Sequence, residues 1–302
     1  MRPPPHPHHW LATFLVAVGV VSASCASLSG LSGGGGVDGG THADGGDAAT
    51  MRSDTGEGLD SGVTAHDAGA CRSPVEGGTP GVLVLGEFCI DSTEAPVALY
   101  DKFYNDLNTN PDAGQPAECA WNSSYEPPYD PYQGEADRAS KPQTAVDWCD
   151  ALAYCKYWGK QLCGNRMDGG ALDPTGPLKD GQWYAACTDG TSQDYPYGAN
   201  YVAGACRAAL PADAGAGTVP TSSTCQGGVP GLYDMSGNLA EWENSCTPSG
   251  GDAAADTCLM RGGTWFFPSN SVTCSLTTGG ALSPRNGSDT SSVGIRCCWE
   301  PE

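Results

Sequence analysis

The sequence predicts an α+β domain of irregular, loop-rich build, stapled by disulfides, and three observations carry that prediction. Three segments of the 302-residue chain have helical character, two of them with apolar residues at helical spacing. Elsewhere Gly, Pro, Asn and Asp interrupt the chain every few residues, so strands must be short and loops long. Of the fifteen cysteines, setting Cys25 aside leaves an even fourteen, all from Cys71 onward. That density in an exported domain reads as a disulfide framework.

Residues 1–25 read as an export signal, with Arg2, an apolar run from Trp10 to Val21 and the small residues Ser22-Ala-Ser-Cys25. The apolar run is too short to span a bilayer. Cys25 stands where a bacterial lipoprotein is cleaved and acylated, although Ser22 replaces the usual leucine. Lipidation at Cys25 is the leading reading, with ordinary cleavage and secretion as the alternative. Residues 26–70 are Gly- and Asp-rich and lack aromatic residues, which suits a disordered tether. Residues 71–302 are long enough for one domain with its own core.

Within that domain Pro96 suits the first turn of a helix to Leu107, and Val97, Tyr100, Tyr104 and Leu107 recur on one side. A stronger helix runs from Asp147, its cap, to Trp158, with Asp150 favouring the positive end and Gly159 as the stop. Trp148, Leu152, Cys155 and either Trp158 or Tyr154 form its buried stripe. Gln182–Cys187 is a third, short helix. Cys149 and Cys155 sit about 9 Å apart along one helix and on different faces, so each pairs elsewhere. Adjacent Cys297 and Cys298 point to two partners, and Cys246 with Cys258 is the favoured local bridge. No C-x-x-C pair exists, so zinc is not expected.

The formal charge of −21 and the lack of any Lys/Arg stripe exclude nucleic-acid binding, and contact with a membrane is expected only through the N-terminal anchor. All five histidines, His6, His8, His9, His42 and His66, precede the folded part. A Ser-His-Asp triad, a Cys-His pair and a histidine base are therefore excluded.

The run Gly231-Leu-Tyr-Asp-Met-Ser-Gly-Asn-Leu-Ala-Glu-Trp242 sets two carboxylates and an amide in one glycine turn. Oxygen donors so placed suit a hard cation, while a surface turn capping its own backbone is the plainer reading. This run resembles the signature of the formylglycine-generating-enzyme, or sulfatase-modifying-factor, family. Gly86–Val97, Val146–Lys160, Tyr195-Pro-Tyr-Gly198, Arg261-Gly-Gly-Thr-Trp265 and Gly294-Ile-Arg-Cys297 are similar to its other landmarks, in the same order, over about residues 80–298. The resemblance implies a loop-rich formylglycine-generating-enzyme-like fold, distantly like C-type lectins. It implies one calcium ion held by Asp234, Glu241 and the carbonyls of Gly237 and Leu239. A weaker second calcium site would use Asn200, the Tyr201 carbonyl and Asp213.

Active members of that family hold Cu(I) on two cysteines after the Arg-Gly-Gly motif. Those positions fall on Phe267 and Val272 here, and Cys274 is the nearest thiol. Soft thiolates are what Cu(I) requires, so copper is not expected and Cys274 is only a weak catalytic candidate. The leading expectation is a monomeric, extracytoplasmic binding or structural module without the copper site. Its ligand would be a peptide or cell-surface group, held near Tyr125, Tyr129, Tyr132 and Trp265–Phe267, with a place in the core as the equal alternative for those residues. The alternative is an oxygen-dependent oxidase of a peptidyl cysteine, using Cys274 and one of Cys297 and Cys298.

Overall fold

Two four-stranded sheets and three α-helices organise the part of the chain that the computed structural model describes, residues 70–107, 115–217, 219, 225–276, 282–287 and 291–302. The expected signal and tether, with Cys25, lie outside the described residues. The first sheet has the order β1 (Gly81–Val84), β2 (Phe88–Asp91), β8 (Cys297–Trp299), β3 (Gln161–Leu162), all antiparallel. The second has the order β6 (Leu282–Pro284), β5 (Thr257–Arg261), β4 (Ala240–Thr247), β7 (Val293–Gly294), in which β4 and β7 run parallel. The register of β4 against β5 shifts between Trp242 and Cys246, so the strand is bent there.

The helices follow the local signals. α1 spans Val97–Leu107 behind Pro96 and buries Val97, Tyr100 and Phe103. Phe103 takes the place expected of Tyr104, which is only partly covered. α2 spans Trp148–Tyr157 with a reciprocal cap: the Asp147 carboxylate accepts from the Asp150 N–H, and the Asp150 carboxylate from the Asp147 N–H. Gly159, at φ 70°, follows its end. α3 spans Gln182–Thr188. The face of α2 that meets the core carries Ala151, Tyr154, Cys155 and Trp158; Leu152 is only half-buried, which corrects the expected stripe. Tyr100, Phe103, Tyr125 and Tyr154 join α1 to α2 at centroid distances from 5.1 to 5.8 Å, close enough for ring–ring contact to add to area burial.

All fourteen cysteines from Cys71 onward are paired: Cys71–Cys89, Cys119–Cys149, Cys155–Cys297, Cys163–Cys298, Cys187–Cys274, Cys206–Cys225 and Cys246–Cys258. The local bridge, the separate partners of Cys149 and Cys155, and the divergence of Cys297 from Cys298 all match the sequence reading. Seven bridges place the folding of this domain in an oxidising, extracytoplasmic compartment. Among the described residues no helix is long and apolar enough to cross a membrane.

Candidate functional site

The run from Gly231 to Trp242 is not a surface turn. Asp234, Ser236, Asn238 and Glu241 are all at most 1% exposed, so each polar group needs a partner inside the protein. Asp234, Gly237 and Asn238 have φ of 62°, 78° and 59°, and this tight path aims successive backbone groups at different neighbours. Gly237 donates to the Gly262 carbonyl and Asn238 to the Arg207 carbonyl. A Cβ at Gly237 would lie 2.3 Å from the Arg207 oxygen, so only glycine fits.

One residue that sequence reasoning left out closes this turn. Glu94 accepts from the Asn238 side-chain amide at 2.5 Å and from the Leu239 N–H at 2.9 Å, across a separation of 144 and 145 residues. Glu94 stands inside one of the family-like landmarks, yet nothing local marks it as the partner of a turn so far along the chain. Glu241 turns to Arg296 and Trp183. The guanidinium reaches both carboxylate oxygens at 2.7–3.0 Å, and the Trp183 indole N–H donates at 2.6 Å.

Three buried carboxyl groups, Glu94, Asp234 and Glu241, act on one buried guanidinium, which contacts Glu241 alone among them. Burial first, then the charges of Asp234 and Glu241, hold the Glu94 carboxyl well above the ordinary carboxylate range. Burial works against the charge of Arg296, but Glu241, Glu94 and Asp234 outweigh it and keep the guanidinium protonated. Of the four expected calcium ligands, Asp234, Gly237 and Leu239 lie in one buried turn. The fourth, Glu241, has both its oxygens engaged by Arg296 and Trp183. Among the described residues no three His, Cys, Asp or Glu side chains group so as to hold a metal, and an ion here would need backbone carbonyls.

The second expected set comprises Asn200, Tyr201 and Asp213. Asn200 is exposed, and Tyr201 packs beside Tyr195 at 5.8 Å. Asp213 lies on a short 3-10 turn, Ala212–Ala214, whose Ala212 carbonyl accepts from the Trp265 indole. The positions where copper thiolates are expected, Phe267 and Val272, sit in an apolar cluster with Tyr195, Tyr197 and Ala208. Cys274 is fully buried in its bridge to Cys187 and presents no thiol.

The residues expected to line a ligand groove separate. Tyr125 belongs to the core between α1 and α2. Tyr129 and Tyr132 line a cavity of about 180 Å³ with Asp101, Tyr104, Glu126 and Asp130, and Tyr132 and Trp265 line a second of about 380 Å³ with Glu135 and Asp213. Pro131 and Tyr132 are common to both linings, so the two cavities adjoin at Tyr132, and together they are called the groove. Its five carboxylates face two cations. Arg138 bridges Asp101 and Asp130 at 2.5 Å, and Lys141 lies within 3.5 Å of Glu135 and Asp137. Phe266 is partly exposed, whereas Phe267 turns to the apolar cluster.

Residues 59–301 match the sequence model of the sulfatase-modifying factor enzyme 1-like domain. No curated protein matches the chain in sequence. Solved structures similar to it include CarF, at 20% identity, TM-score 0.45, covering 71% of this chain and 87% of that one. Variable protein 1 of Treponema denticola is 19% identical, TM-score 0.45, covering 78% and 92%. PvdO from Pseudomonas aeruginosa is 19% identical, TM-score 0.44, covering 70% and 80%.

Proposed function

Because the chain belongs to the family of sulfatase-modifying factor enzyme 1-like domains, we propose that it is a lipid-anchored binding module on that scaffold, working without the copper site. The observation that carries this reading is the pairing of all fourteen cysteines from Cys71 onward, Cys274 included. Cu(I) chemistry of the family type needs two free thiolates. A thiol titration of the unfolded, unreduced chain checks it. Less than one reactive thiol per chain is expected once Cys25 is acylated or removed. A reactive pair binding one Cu(I) would replace this reading with the peptidyl-cysteine oxidase.

The groove around Tyr132 is the binding region in this reading, and its excess of carboxylates over Arg138 and Lys141 favours an extended cationic segment of a partner. Tyrosine and tryptophan faces add affinity for a cation, as Lys141 already illustrates at 5.7 Å from the Tyr132 ring. A lysine-rich peptide should quench tryptophan fluorescence saturably, and a glutamate-rich one should not.

Calcium is the structural ion in this reading. Its support is the burial of three carboxyl groups, Glu94, Asp234 and Glu241, around one guanidinium, an excess that a cation or a proton has to offset. Asp234 and the carbonyls of Gly237 and Leu239 would hold the ion. Chelation should lower the melting temperature, and added Ca2+ restore it. No shift, in the wild type and in Asp234→Ala alike, would remove the ion.

A further inference from the structure

Helix α2 has two apolar faces, and one of them packs against the core while staying only partly buried. Ala151, Tyr154, Cys155 and Trp158 pack inward. On another side Leu152, Ala153 and Tyr157 stay partly exposed and line a cavity of about 440 Å³, closed by Leu107, Tyr125 and the edge of Trp148. The Cys119–Cys149 bridge ties Cys149, in its wall, to the short turn that follows Pro116, so that side is covalently fixed. The volume lies in the range of small-molecule sites, which are mainly apolar with a few polar groups.

Three further observations define the occupant. First, the polar group at one end is Asn244, whose N–H donates to the Cys163 carbonyl and whose carbonyl accepts from Leu172. Asn244 is half-buried and lines the cavity, and a side-chain amide carries both donors and an acceptor. Second, the cavity is electrically balanced. Glu118 and Lys156 are its two charged lining residues, in a chain of formal charge −21 whose groove near Tyr132 is strongly acidic. A charged ligand gains little here. Third, the lining includes the aromatic side chains of Tyr125, Trp148 and Tyr157, which favour a ring as the occupant.

We propose that the cavity beside α2 binds a small uncharged ring compound that carries one hydrogen-bonding group, with Tyr125, Leu152, Ala153 and Tyr157 around the ring and the Asn244 amide on its polar group. This site is separate from the Tyr132 groove and holds whether or not that groove binds a peptide.

The test uses N-phenylnaphthylamine, an uncharged aromatic amine whose fluorescence rises in apolar surroundings, added to the full folded protein. Saturable enhancement at one probe per chain is expected. Ala153→Trp, which fills the cavity from a partly exposed position, should weaken binding about tenfold or more. Leu152→Asn should weaken it as well, with near-ultraviolet circular dichroism of both variants matching wild type. No saturable signal in the wild type would overturn the proposal. So would a signal that survives both substitutions. A dimer in sedimentation that the probe dissociates would assign the cavity to a second copy of the chain instead.

Discussion

The turn from Gly231 to Trp242 and the groove around Tyr132 both gather carboxylates, and they treat them in opposite ways. In the turn, Asp234 and Glu241 are dry, Glu241 is held bidentately by Arg296, and Glu94 caps two N–H groups. In the groove, the carboxylates of Asp101 and Asp130 are 43% and 32% exposed and share Arg138 in contact with water. Charges in a low dielectric are costly unless paired, and paired they fix one geometry; charges in water cost little and stay available. The same residue types therefore build dry scaffold in one place and a solvated acidic surface in the other.

The sharpest way to break this contrast is Arg296→Met. It strands Glu241 as a buried charge and should remove about 3–5 kcal/mol of stability, read as a large fall in melting temperature or failure to fold. A mild loss would mean that water reaches the turn. Gly237→Ala tests the path of the same turn. The clash with the Arg207 carbonyl and a φ of 78° should together cost about 2–4 kcal/mol in chemical denaturation. A substitution within about 0.5 kcal/mol of wild type would show that the backbone there relaxes freely. The smallest effect on stability belongs to the groove. Tyr129 is 47% exposed, so Tyr129→Ala should leave the melting curve within about 0.5 kcal/mol while weakening the lysine-rich peptide. A clear drop in stability would make Tyr129 part of the scaffold.

What the sequence made legible was local. The three helices came from caps, periodicity and stop residues separated by a few positions, and each lies within a residue or two of its expected bounds. The cysteine parity foretold complete pairing, and the spacing excluded an intrahelical bridge. Leu152 escaped because helical periodicity cannot say which of two apolar faces meets the core. Glu94 escaped for a different reason: its partners lie 144 and 145 residues away, and no local pattern records so distant a hydrogen bond. Arg296 stands out in the sequence only as part of a landmark, yet it is the guanidinium that claims both oxygens of Glu241. The family resemblance supplied the identity of the scaffold; the partners of its charges had to come from three dimensions.

The place of β8 has a consequence for how the chain is made. This strand, Cys297–Trp299, fills the slot between β2 and β3, and its two cysteines bridge to Cys155 and Cys163 over separations of 142 and 135 residues. The first sheet is therefore incomplete until nearly the whole domain has been synthesised. Until then Cys155 and Cys163 wait as thiols among earlier cysteines that can capture them wrongly. Maturation should depend on an isomerase that reopens premature bridges, and the order of synthesis makes the last strand the one that locks the molecule.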